Sequence, residues 1–418
     1  MQEEPPPPYA RKTVLVLSST YPRWKGDHEP NFVHELCKRL TPYHNVIVIA
    51  PQEKDALTQE TMENVQVYRH RYAPNIFSTL ISNGGLAANV KRNYWKWMLL
   101  PTFLLSQLLL TYKLAKKIQP DIIHAHWIIP QGIIATIVKL TRLRSAPLII
   151  TSHGGDLYTF NNKIFKYIKR LALIKAEVIA VVSPAMKEYF VNDPNINRKT
   201  YILPMGVDTK LLFTPKSEIF RNKKQILFIG RLVEKKGLEY LLKAMPEIIK
   251  KHPTSSLVII GDGPYKDTLQ KLAINLKINT KTNFLGGLPS AGLARYYQEC
   301  SVLVAPFITS KSGDKEGLGL VIIEALSCNC PIVVSENESL REIRSIFKGN
   351  NWIRGVPERS PEAISLAVSG IMSSLETQQP LFTDQHRLIG DQYSWETTSK
   401  NYLIAYENLE YRVKIKKY

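Results

Sequence analysis

A chain of 418 residues is longer than one core comfortably serves and suits two domains of roughly 200 residues each. Its 44% hydrophobic and 22% charged residues exclude a disordered or fibrous chain, and its four cysteines (Cys37, Cys300, Cys328, Cys330) form no CxxC pair and no disulfide framework, which suits a reducing compartment. The formal charge of +19 asks for an anionic partner or surface: 26 Lys+Arg against 14 Asp+Glu place +12 of it in residues 1–207 and leave +7 for the rest. With no helix-turn-helix, zinc or aromatic RNA-binding signature, nucleic acid is not expected; a nucleotide diphosphate or an anionic membrane face remains.

Residues 1–12 read as a disordered lead-in without the apolar core of a signal peptide. Thr13–Ser19 is a buried strand, and a long loop from Ser18 to Pro30, with Tyr21-Pro22 and Gly26, leads to a helix over Asn31–Leu40 and a strand over Asn45–Ala50. No GxGxxG follows the first strand, so a dinucleotide-binding dehydrogenase is disfavoured. The segment Asn93–Ile118 carries an apolar run over about Trp97–Leu110 that Pro101 interrupts, short of a bilayer span. It reads either as a helix packed on the sheet with Lys113, Lys116 and Lys117 outward, or as an interfacial segment with Lys91, Arg92, Trp95, Lys96 and Trp97 at head-group level.

Asp121–Trp127 is the next strand and puts His124 and His126 on one face. Spacing supplies no third ligand for a metal, so these histidines read as pocket wall or core hydrogen bonding. A helix over Gln131–Leu140 and a strand over Pro147–Thr151 follow. That strand ends in Ser152-His153-Gly154-Gly155-Asp156, where a histidine can meet a hydroxyl while the glycines let backbone approach; a solvated loop histidine is the plainer reading. Glu177–Ser183 and the helix from Pro184 complete this half, and Tyr201–Asp208 leads out of it.

Gln225–Gly230 opens the second half, and Arg231 and Lys236 leave that strand's carboxyl end, Arg as a fork and Lys as a point charge for diphosphate oxygens. Leu257–Asp262 with Gly263-Pro264 is the next strand and turn. The stretch Ser301–Ser335 reads strand, polar loop, helix, strand, with Glu316-Gly317-Leu318-Gly319 expected to start the helix. The amide groups of the Gly317–Leu320 turn would then face a diphosphate. Glu316 and Glu324 would be separated by about 12 Å of helical rise. By themselves the two also read as a first-turn charge and a solvated helix residue. Further elements follow to a last helix from Tyr393-Ser394-Trp395-Glu396 to about Arg412, and a basic tail.

Glu-x7-Glu after a Ser/Gly-rich loop, together with Ser-His-Gly-Gly-Asp, Gly-Arg-Leu-Val…Lys-Gly and Gly-Asp-Gly-Pro in that order, resembles the retaining glycosyltransferases of family 4. The resemblance implies the GT-B fold: α/β, two doubly wound Rossmann-like domains facing each other across a cleft, at 13–210 for the acceptor and 211–392 for the nucleotide sugar. Residues 393–418 would form a helix packing back on the first domain. It implies that Arg231 and Lys236 bind the donor diphosphate with the backbone of Gly317, Leu318, Gly319 and Leu320. Glu316 would hold sugar hydroxyls, Glu324 the ribose, His153 the sugar from the other domain, and Asp156 that loop; Gly263 is expected beside the base or ribose, and Gly26 and His126 on the acceptor side. His153, Arg231, Lys236 and Glu316 are the expected catalytic set. Transfer from a nucleotide-diphosphate sugar to a glycan or lipid-linked acceptor in cell-envelope or surface-polysaccharide assembly follows, with retention, no cofactor and no metal. The Asp-x-Asp of metal-dependent enzymes is missing, Asp27-His28-Glu29 being its nearest match. The expected location is cytoplasmic, peripheral on the inner membrane face. A sugar-nucleotide epimerase of the same fold and a non-catalytic nucleotide-sugar-binding subunit are the alternatives. The first loop departs from the family in lacking its adjacent glycine pair, which leaves the acceptor side unassigned.

Overall fold

The computed structural model describes residues 11–27, 31–81, 89, 93–141, 146–159, 162–216, 221–336, 338–347, 349–377 and 383–415. The lead-in at 1–10, His28 and Glu29, Lys91 and Arg92, and the tail at 416–418 lie outside the described residues. The chain divides into two units, one of residues 1–206 and 395–418, the other of residues 207–394.

In the first unit β1 (Thr13–Leu17), α1 (Phe32–Leu40) and β2 (Asn45–Pro51) form the opening crossover. A hairpin of β3 (Gln59–Met62) and β4 (Val65–His70) follows, then α2 (Leu99–Ile118), β5 (Ile122–His126), α3 (Ile133–Leu140) and β6 (Leu148–Ser152). The short α4 (Gly155–Tyr158), α5 (Lys163–Lys175), β7 (Val178–Val181), α6 (Pro184–Glu188), α7 (Pro194–Asn197) and β8 (Thr200–Ile202) complete it. The sheet order is β3-β4-β2-β1-β5-β6-β7-β8, parallel except for β3 against β4. Its central strands are apolar and β-branched because helices cover both faces. The crossover from β1 to β2 runs one way along the sheet and those from β4 to β5, β6 and β7 the other way. Right-handed connections therefore put α1 on one face and α2, α3 and α5 on the opposite one.

Pro101 does not cut the apolar run, contrary to the sequence reading. It is the third residue of α2, where the amide it lacks would have had no intrahelical partner. With the 3-10 turn Tyr94–Met98 before it, the helical run Trp95–Ile118 has 24 residues, enough by length and composition to cross a bilayer. Yet Phe103, Gln107, Thr111, Leu114 and Ala115 are buried, and α2 packs on β2 and β4. Lys113, Lys116 and Lys117 face outward. Lys96 does not sit at an exposed head-group level: it is 6% exposed and donates to the Thr79 carbonyl at 2.8 Å, while Trp95 and Trp97 are exposed.

The second unit runs β9 (Asn222–Ile229), α8 (Leu238–Lys251), β10 (Ser256–Ile260), α9 (Lys266–Asn275), β11 (Thr282–Gly286), α10 (Ser290–Glu299) and β12 (Cys300–Ala305). It continues through α11 (Leu320–Ser327), β13 (Ile332–Ser335), α12 (Glu338–Ile346), β14 (Ile353–Val356), α13 (Pro361–Thr377) and α14 (Thr383–Tyr393). The six strands are parallel in the order β11-β10-β9-β12-β13-β14. Leucine, isoleucine and valine from β9, β10 and β12 pack under α8 and α13 as one core.

The last helix, α15 (Trp395–Ile415), belongs to the first unit and packs on α1. Only glycine fits at 206, since a Cβ there would lie 2.6 Å from the Trp395 ring. Tyr402 and Tyr406 are fully buried against the sheet, and Arg39 of α1 stacks over Trp395 at 4.9 Å.

Candidate active site

In an open parallel sheet, ligands bind where neighbouring strands send their connections in opposite directions. In the second unit that point lies between β9 and β12. Arg231, Lys236, Gly263, Glu316 and Glu324 all follow carboxyl ends of strands in this sheet, Arg231 being exposed. Gly237 takes φ +67°, and an added Cβ would meet the Pro306 carbonyl oxygen at 1.7 Å, so the loop after β9 runs directly against the loop after β12. Ile308 N–H donates to the Lys235 carbonyl at 2.9 Å and fixes that contact.

The contact delivers Lys236 to Glu316. Lys236 Nζ lies 2.9 Å from Glu316 Oε2 and 4.5 Å from the centre of the Phe307 ring. Burial alone would raise the Glu316 carboxyl, but Lys236, Lys235 and Arg231 outweigh it and hold it at about 2, so it is a carboxylate at any working pH. Glu324 is treated oppositely. Burial pushes it up to about 7, only partly opposed by the Tyr297 hydroxyl, which donates at 2.6 Å, and by Lys236. One lysine thus feels two carboxyls, one fixed as an anion and one poised near neutrality.

The structure corrects the expected helix start. α11 begins at Leu320 with Gly319, left-handed at φ +75°, before it and no side-chain cap, so Glu316, Gly317 and Leu318 lie in the loop ahead of the first turn. The separation of Glu316 from Glu324 is therefore not helical rise; a loop lets Glu316 fold toward Lys236. The Gly-Asp-Gly-Pro turn joins the same region: Leu232 N–H donates to the Asp262 carbonyl at 2.9 Å, and Tyr265 N–H to the Leu232 carbonyl at 3.0 Å. Gly263 is thereby held against the segment that carries Arg231. Beside Glu316 opens a cavity of about 220 Å³ bordered by Phe307, Arg341 and Glu358. Nothing in the spacing of Phe307 and Tyr297 marks one as the partner of Lys236 and the other as the donor to Glu324.

In the first unit the switch point lies between β1 and β5. His153 stands just past β6, between Phe32 at 4.9 Å and Trp127 at 4.8 Å, and its Nε2 is 3.0 Å from His126 Nδ1. Trp127 takes φ +73°, an uncommon left-handed state for a large side chain, where β5 gives way to its loop. Asp156 ties these loops together, accepting from Ile128 N–H at 2.7 Å, from the Ser152 hydroxyl at 3.0 Å and from His153 N–H at 3.2 Å. His124 bonds Tyr406 on α15 and Thr151 on β6, each at 2.8 Å. Burial lowers His124 and His153 to about 3 and His126 well below its ordinary value, so the three adjoining imidazoles, His126 stacked on His153 and His124 tilted against His126, are neutral. Gly26 sits at φ +83° in an exposed turn that the Arg23–Asp27 ion pair closes at 2.6 Å, away from these rings in sequence and unconnected to them by any bond among the described residues.

Two family descriptions fit consecutive halves of the chain: Glycosyltransferase Family 4 matches residues 30–211, and Glycosyl transferases group 1 matches residues 211–381. The chain belongs to glycosyltransferase family 4. A GDP-mannose-dependent alpha-(1-6)-phosphatidylinositol monomannoside mannosyltransferase of Mycolicibacterium smegmatis is 25% identical over 395 residues, 92% of this glycosyltransferase and 95% of the relative. An uncharacterised glycosyltransferase of Methanocaldococcus jannaschii is 26% identical over 331 residues, 73% and 82% of the two chains. The fold is that of sucrose-phosphate synthase from Thermosynechococcus elongatus, with a TM-score of 0.74 at 18% identity over 96% of this chain and all of the other. Anabaena HepE in complex with UDP and glucose superposes with a TM-score of 0.69 at 13% identity over 95% of this chain. These likenesses assign the GT-B fold to this family 4 glycosyltransferase.

Proposed function

We propose that this family 4 glycosyltransferase moves a sugar, with retention and without a metal, from a nucleoside-diphosphate sugar to a lipid-linked or glycan acceptor in cell-envelope glycolipid or polysaccharide assembly. The observation that carries the reading is the convergence of Lys236, Arg231 and Glu316 at the β9–β12 switch point. A departing nucleoside diphosphate gains negative charge as its bond to the sugar breaks, and fixed cations there stabilise the transition state more than the bound donor. Lys236 and Arg231 hold the diphosphate with the amide groups at the start of α11, and Glu316 accepts from sugar hydroxyls. Glu324 takes the ribose and Gly263 lets the backbone come near the base or ribose. The bond from anomeric carbon to phosphate oxygen breaks with its electron pair leaving on the diphosphate. The acceptor hydroxyl attacks the same face, and its proton passes to the departing phosphate oxygen. His153, neutral, contacts the sugar as hydrogen-bond partner, with Asp156 and His126 holding its loop and ring. The acceptor class is supported by the phosphatidylinositol mannoside acceptor of the mycobacterial relative and by a putative teichuronic acid biosynthesis glycosyltransferase of Bacillus subtilis, 26% identical over 266 residues. Four free cysteines suit a cytoplasmic setting.

A panel of UDP-, GDP- and ADP-sugars, assayed by thermal shift and by release of nucleoside diphosphate with and without lipid extract as acceptor, tests this. One donor should stabilise the protein and turn over fast only with acceptor present. Conversion of the sugar nucleotide without acceptor would replace the reading with the epimerase.

A further inference from the structure

The helices on one face of the first sheet have an outer surface that fits neither water nor a protein core. α3 packs between α2 and α5, so the three form a continuous layer. On α2 the residues opposite the buried stripe are Leu105, Leu109 and Tyr112, which are 55%, 59% and 40% exposed. On α5 the outward residues include Ile164 and Tyr167, at 71% and 64%. Trp95 and Trp97 stand exposed just ahead of α2. The charge is as one-sided as the exposure. From residue 64 to residue 176 the sequence has 16 Lys+Arg and only two acidic residues, Asp121 and Asp156. Both acids are used inside the fold, Asp121 accepting from Thr13 N–H at 2.9 Å and Asp156 in the His153 loop. α2, α3 and α5 contain no acid at all, while Lys113, Lys116, Lys117, Lys163 and Lys166 are exposed on them.

We propose that this layer docks in the plane of an anionic phospholipid surface, with α2 parallel to it, the leucines and aromatic rings at the acyl boundary and the lysines among the phosphates. Interleaved aliphatic, Trp/Tyr and Lys side chains with no acid are what an interfacial helix requires. α2 does not cross the bilayer, because its Phe103–Gln107–Thr111 stripe is packed on the sheet. A second copy of the chain is the poorer occupant: although Glu177 pairs Lys139 and Asp193 pairs Arg170 at the layer's edge, a two-fold pair would set two predominantly cationic faces against each other. The assignment goes beyond the proposed reaction and is independent of the Lys236–Glu316 pair, which lies in the other unit.

Flotation of the full chain with vesicles of phosphatidylcholine alone, or doped with phosphatidylglycerol, tests it. Binding is expected to the doped vesicles, weakening with added salt. The pairs Lys116→Gln/Lys117→Gln and Leu105→Gln/Leu109→Gln should each lower it on the order of tenfold. Leu366→Gln, at a residue 63% exposed in the second unit, should leave it unchanged. Hydrolysis of the donor without acceptor should be equal in all four proteins, so loss of lipid binding and failure of the proposed reaction are read separately. Equal binding to undoped vesicles, or indifference to both pairs, overturns the proposal. So does a concentration-dependent dimer that the leucine pair dissolves while vesicle binding persists.

Discussion

The two sheets share a plan, a parallel core with a switch point at the centre, and furnish it with opposite chemistry. Beside β9 and β12 the groups are ionised: Lys236 pairs Glu316 at 2.9 Å and the carboxyl is held at about 2. Past β5 and β6 they are neutral: His124, His126 and His153 lie in a row that burial keeps uncharged, with Phe32 and Trp127 walling His153. A leaving group that accumulates charge needs fixed counter-charge, whereas a sugar and an alcohol need hydrogen bonds and flat apolar contact. On the proposed reaction, the two units divide its labour by protonation state.

The sharpest way to break this contrast is Lys236→Ala. It leaves Glu316 without its ion-pair partner and, on the proposed reaction, the diphosphate without its cation, and should lower kcat/KM about 10³-fold, roughly 4 kcal/mol. Unchanged steady-state kinetics would remove the charged half of the contrast. Next, His153→Ala should lower transfer about 10²-fold while calorimetric affinity for free nucleoside diphosphate stays as in the wild type. A parallel loss of that affinity would mean the neutral rings also serve the phosphate. Glu324 sharpens the charged side. Its folded value is raised to about 7, so its contribution favours folding below its unfolded value near 4.5 and is lost as pH rises through 7. Chemical denaturation of the ligand-free protein should show stability falling by roughly 3 kcal/mol across that window, and Glu324→Gln should flatten the slope. The smallest effect is expected from Tyr406→Phe, which removes the partner of His124 Nδ1 and should cost about 1 kcal/mol in a urea midpoint with little change in rate.

What was legible in the chain follows from the range of the forces involved. Val14–Leu17, Val46–Ala50 and Val302–Ala305 announce themselves as buried strands because every side chain there is covered. The loops after them carry the site because strand ends in such sheets converge. The hairpin Gln59–His70 leaves no such mark, since polar residues such as Gln59, Glu60 and Gln66 make a half-exposed strand resemble a loop. Nor did α5 stand out, its lysines masking its helical period. The pairing of Lys236 with Glu316 spans 80 positions, and Tyr297 with Glu324 depends on how α10 meets α11; neither leaves a local trace. The inward turn of Lys96 was hidden for the same reason, its acceptor being a backbone carbonyl.

Tyr402 and Tyr406 close over Thr151 and His124 from the final helix of the chain. During synthesis those residues follow residues 207–394 out of the ribosome, so the whole second unit emerges before the first sheet receives its lid. Until then β5 and β6 present polar groups, His124 and Thr151, that α15 will cover. A nascent chain cut short before Tyr402 would carry every residue of the proposed donor site and still lack a finished first half.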